Sequence, residues 1–67
     1  MNITVNDQPL ATGAATVEEL VIETLGKSPE AGVAVAIDGN VVPRSAWAEQ
    51  QLADGAVVDI LTAVQGG

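Results

Sequence analysis

The sequence predicts an α+β domain in which one helix packs across a single mixed sheet of four to five strands. Three observations carry this. "TVEELVIETLG" holds a helix start, an apolar stripe at helical spacing and a helix stop. "NITV", "VAVAI" and "AVVDIL" alternate or run apolar as strands do. Asn6-Asp7, Asp38-Gly39 and Asp54-Gly55 are pairs that favour tight turns.

Taken in order, Asn2 and Thr4 fall on one face of the first strand, Ile3 and Val5 on the other. Asn6-Asp7 turns the chain, and Pro9, which lacks an N–H to give to a neighbour, restricts the next strand (residues 8–12) to an edge. Thr16 and Glu19 make the T-x-x-E of a capping box, with Thr16 at the N-cap. Val17, Leu20, Val21 and Leu25 follow on one helical stripe, joined by Thr24 and edged by Ile22. Glu19 and Glu23 point away, and Glu23 and Lys27 form an i, i+4 pair. Gly26 suits the left-handed position that ends a helix.

Residues 29–32 read as a linker. Val33, Val35 and Ile37 then share one strand face and Ala34 and Ala36 the other; Asp38-Gly39 makes a hairpin, and Val41-Val42 returns until Pro43 stops it. Ser45 is placed to cap a short helical turn through Trp47 and Glu49. In the last strand Val58 and Ile60 form the core pair, with Val57, Asp59 and Leu61 facing the opposite way. The sheet face away from the helix then carries Thr4, Ala34, Ala36, Val57, Asp59 and Leu61. That face is open and too apolar for simple solvent surface, and its small residues permit flat, close approach. Ala34, Ala36, Val57, Asp59 and Leu61 are the candidate partner-binding residues. Residues 1–62 read as the domain and residues 63–67 as a flexible tail ending in Gly66-Gly67.

Composition narrows the function. The chain has 67 residues, 48% of them hydrophobic, so it folds rather than staying disordered. Trp47 is its one aromatic residue, and its core must come from many small aliphatic contacts. A net charge of −7 disfavours phosphate backbones and suits a basic protein partner. No apolar run is long enough to span a bilayer and no signal peptide is visible, so the cytoplasm is the default location. Without Cys or His there is no disulfide, no thiolate nucleophile, and no ordinary transition-metal site. A Ser or Lys nucleophile lacks its positioned base. Glu18, Glu19 and Glu23 read as a solvated helix face, and Gly13 as a loop residue without the Lys of a phosphate cradle.

The group left with unusual chemical access is the carboxylate of Gly67. Residues 62–67 reach roughly 20 Å when extended. Gly66 and Gly67 have no Cβ, so the backbone can enter a narrow channel and approach another protein's catalytic groups. A carboxylate is a poor electrophile until ATP on a partner enzyme converts it to an acyl-adenylate. A sulfur nucleophile can then displace AMP and leave a thiocarboxylate.

The whole chain resembles the ThiS family of sulfur carriers, which share the ubiquitin-like β-grasp fold. The likeness rests on "NITVNDQPL", "ATVEELV", "VAVAIDGNVVPRSAW" and "LADGAVVDILTAVQGG"; the last two stretches are the specific ones. Asp7 stands where that family commonly has Gly in the first hairpin turn. The resemblance implies a monomer when free that is a substrate of its partners and not itself an enzyme. It implies that a ThiF-like, E1-like enzyme adenylates Gly67 with its own ATP and Mg²⁺, this chain binding no cofactor or metal. It further implies that a ThiG-like thiazole synthase receives the sulfur during thiamine biosynthesis. Three rivals are a carrier like the small subunit of molybdopterin synthase, usually longer and more aromatic in its opening strand, a non-reactive β-grasp adaptor, and a protein-conjugating modifier. The sulfur donor, the partner affinities, and the roles of Trp47 and Arg44 are not legible in the sequence.

Overall fold

A hairpin opens the chain: β1 (Asn2–Val5) pairs antiparallel with β2 (Gln8–Ala11), with Thr4 opposite Pro9. The computed structural model describes residues 1–29 and 32–62. The expectation for the tail, Gly66 and Gly67 included, and the Glu30-Ala31 part of the linker lie outside these residues. Asn6 and Asp7 have φ of +49° and +66°, so both central residues of the turn are left-handed, as a type I′ turn requires. Asp tolerates that conformation, which explains how Asp7 serves where Gly is common.

The helix α1 (Val17–Leu25) begins as its sequence requires. Thr16 accepts a hydrogen bond from the Glu19 N–H, and Glu19 reaches back to the Thr16 N–H, completing the capping box. Gly26 closes the helix at φ +76° and donates its N–H to the Ile22 carbonyl at 2.8 Å. Val17, Leu20 and Val21 are fully buried. Thr24 corrects the predicted stripe: it is exposed. There the β1–β2 hairpin stands off from the helix and leaves a groove of about 550 Å³ between Thr24, Glu23, Val5, Pro9 and Leu10.

The second hairpin joins β3 (Val33–Ile37) to β4 (Asn40–Val42) through left-handed Asp38 and Gly39. After Pro43 a 3₁₀ turn spans Arg44–Ala46. Ser45 does not cap it, contrary to expectation. Pro43, its φ fixed by its ring, occupies the N-cap, and its carbonyl accepts the Ala46 N–H at 2.9 Å. Ser45 is therefore inside the turn and exposed.

β5 (Val57–Thr62) lies in the middle of the sheet, whose order is β2-β1-β5-β3-β4. It runs parallel to β1 (Val5 beside Val58) and antiparallel to β3 (Val35 beside Ile60). The sheet is thus mixed and five-stranded with β2 on an edge, and it grips one helix on one face: the β-grasp arrangement. Ile3, Val5, Val35, Val58 and Ile60 meet Val17, Leu20 and Val21 in one core. Trp47 closes that core from the side, only 1% exposed, its Nε1–H donating to the Val42 carbonyl at 2.9 Å. The segment that carries it also holds the helix start: the Trp47 and Gln50 carbonyls accept the N–H groups of Glu18 and Val17, which have no partner within the helix. Among the described residues no buried side-chain polar atom lacks a partner, and no helix is long and apolar enough to cross a membrane.

Candidate functional site

The alternation of β3 and β5 produces the site. Among the described residues, side chains that point away from the helix have no second layer above them. Cross-strand pairing sets Ala36 beside Asp59 and Ala34 beside Leu61, while Thr4 of β1 lies beside Val57. The five residues expected to form a docking face therefore share one sheet face. Leu61 is 67% exposed and Val57 43%, high values for large apolar side chains. Ala34 is exposed; Ala36, Asp59 and Thr4 are half-buried among their neighbours.

Val41 belongs to this patch and was not singled out in the sequence. It pairs with Ala36 from β4 and is 76% exposed, the most open large apolar side chain of the described residues. The signal was present, since Val42 is buried beneath the sheet and period-two alternation turns Val41 outward. The patch is then a small-residue floor, Ala34 and Ala36, flanked by Leu61, Val57 and Val41, with Asp59 as its one charged member. Contiguous exposed apolar surface of this kind marks interaction sites.

Trp47 and Arg44 are not part of that surface. Trp47 is buried on the other side of the sheet, so it packs and does not reach a partner. The Arg44 guanidinium lies 4.7 Å from the centre of the Trp47 ring, and its Nη2 donates to the Pro29 carbonyl at 2.9 Å. It ties the chain after α1 to the 3₁₀ turn.

The site's second part is the strand that leads toward Gly67. Two turn residues lock β5 in place. Asp38 gives its N–H to the Val57 carbonyl at 2.8 Å and accepts the Val57 N–H on Oδ1 at 3.1 Å. The Asn6 side chain does the same for Ile60, accepting its N–H at 2.8 Å and donating to its carbonyl at 3.1 Å. In the sequence Asn6 is legible only as a turn residue, because a contact spanning 54 positions leaves no local pattern.

Comparison with known proteins places this geometry. The model of the ThiS family matches residues 2–67. The sulfur carrier protein ThiS of Escherichia coli (strain K12) is 33% identical over 67 residues, covering 100% of both chains. The crystal structure of the thiamine biosynthesis protein ThiS from Geobacter metallireducens superposes with a TM-score of 0.78 at 34% identity, over 100% of both chains. The solution structure of a thiamine biosynthesis protein from the same organism gives 0.76 at 35% identity, covering 100% of this chain and 88% of that one.

Proposed function

We propose that this chain, which belongs to the ThiS family and is a sulfur carrier, bears its sulfur as a thiocarboxylate on Gly67 and delivers it to thiazole formation in thiamine biosynthesis. The observation that carries this reading is the reach of the family match. It extends five residues past the end of β5 at Thr62 and takes in Gly66 and Gly67.

The chemistry divides between this chain and its partners. On a ThiF-like adenylating enzyme, a Gly67 carboxylate oxygen attacks the α-phosphorus of ATP and pyrophosphate leaves. The acyl-adenylate carbonyl is then attacked by a sulfur nucleophile; the C–S bond forms, the C–O bond to phosphorus breaks, and AMP departs. The ATP and its Mg²⁺ belong to the partner, and this chain is a substrate. What the chain supplies is presentation. Glycine at 66 and 67 lets the backbone lie close to the partner's reacting groups. The open face of Ala34, Ala36, Val57, Asp59 and Leu61 docks the domain, first on the adenylating enzyme and then on a ThiG-like thiazole synthase. That docking offsets the cost of fixing the tail, roughly 1–2 kcal/mol per ordered residue.

Deleting Gly67 tests the reading. In cells that lack their own carrier, the full chain is expected to restore growth without added thiazole. The shortened chain is expected to fold identically by circular dichroism and fail to restore growth. Restoration by the shortened chain would overturn the proposal.

A further inference from the structure

We infer that Asn6 is a positioning residue for the reaction of the tail, because its carboxamide completes the sheet where β1 has already turned away. The observations are geometric. Backbone pairing on this side of β5 ends with the Asn6 N–H, which donates to the Val58 carbonyl at 2.9 Å. The next β5 groups facing that side belong to Ile60, and both are taken by the Asn6 side chain, Oδ1 on the N–H at 2.8 Å and Nδ2 on the carbonyl at 3.1 Å. One carboxamide thus imitates the N–H and C=O of one further strand residue. Asn offers an acceptor and a donor from a single planar group, and it tolerates the φ of +49° that the turn demands.

Its location gives this clamp its role. Ile60 is two residues before the end of β5, and beyond Ile60 the strand is paired on the β3 side, Leu61 beside Ala34 and Thr62 beside Val33. Without the carboxamide, the last turn of backbone before the tail would be held from one side only. The clamp fixes the position and direction of the end of β5, from which the chain runs on toward Gly67. Effective concentration at a reacting centre falls steeply when such a root is loosened.

The inference rests on the reactive role proposed for Gly67, and the experiment separates the two. Asn6→Gly keeps the left-handed turn, which Gly adopts without steric cost, and removes only the clamp. In the free protein, amide exchange at Ile60 is expected to accelerate about tenfold, with exchange at Leu20 and Val35 unchanged. With an adenylating partner, kcat for adenylation is expected to fall about fivefold with KM for the carrier within about twofold, because the docking face is untouched. Wild-type chain that is not adenylated at all would count against the role of Gly67, and the exchange measurement would still report on the clamp. Adenylation of wild-type chain with an unchanged kcat for the variant would overturn the inference. So would unchanged exchange at Ile60, a change confined to KM, or loss of the folded state.

Discussion

Arg44 sits over the face of Trp47 at 4.7 Å and at the same time holds the Pro29 carbonyl, so one cation joins the only aromatic ring to the chain leaving the helix. In a protein whose core is otherwise Val, Leu, Ile and Ala, this ring is the largest buried side chain. Trp47→Ala is expected to cost about 3–5 kcal/mol, enough to leave a domain of this size largely unfolded at room temperature. Arg44→Ala removes a partly solvated cation–π contact and is expected to cost about 0.5–1 kcal/mol. Urea titrations followed by circular dichroism measure both, and equal effects would refute the ranking.

The helix start offers a separate check. Thr16→Ala removes the acceptor for the Glu19 N–H while leaving the neighbouring contacts of Val17 and Glu18 to the Gln50 and Trp47 carbonyls in place. A loss of about 1 kcal/mol is expected. A neutral outcome in the same titration would mean that those backbone contacts hold the helix end without the cap.

Docking is tested on the open face. Leu61 is exposed and leaves the core on truncation untouched, so Leu61→Glu is expected to change stability by no more than about 0.5 kcal/mol. If the face docks the adenylating enzyme, the same change weakens binding about tenfold, as for a residue central to an interface. Val41→Glu, at the far side of the patch, is expected to weaken binding less. Calorimetric titration against the partner decides this, and unaltered binding by both variants would move the docking surface elsewhere.

Much of this architecture was legible because its signals are local. The Thr16–Glu19 capping box, Gly26, the left-handed turns and the strand alternation each depend on a few neighbouring residues, and each is found where the pattern puts it. The open face followed from period two alone, which is why Ala34, Ala36, Val57, Asp59 and Leu61 share it. What was illegible is set by distant pairing. Nothing in "AVVDIL" says that the last strand inserts between β1 and β3. Thr24 has a core position by helical spacing, yet the hairpin beneath it stands away. Ser45 has the chemistry of a cap, but the N-cap falls at Pro43, two residues before it. The twin locks of Asn6 and Asp38 on β5 join turns to a strand far along the chain, and only the folded sheet brings them together.

Whether sulfur resides on Gly67 is read out by the intact mass of the chain. The chain is incubated with ATP, Mg²⁺, an adenylating partner and a sulfur source, and its mass is compared with that of untreated protein. The expected result is the mass change of one oxygen replaced by one sulfur, localised to Gly67 by fragmentation; the chain has no cysteine to carry it elsewhere. An unchanged mass under conditions in which the partner converts the Escherichia coli carrier, or sulfur found on any other residue, would contradict it.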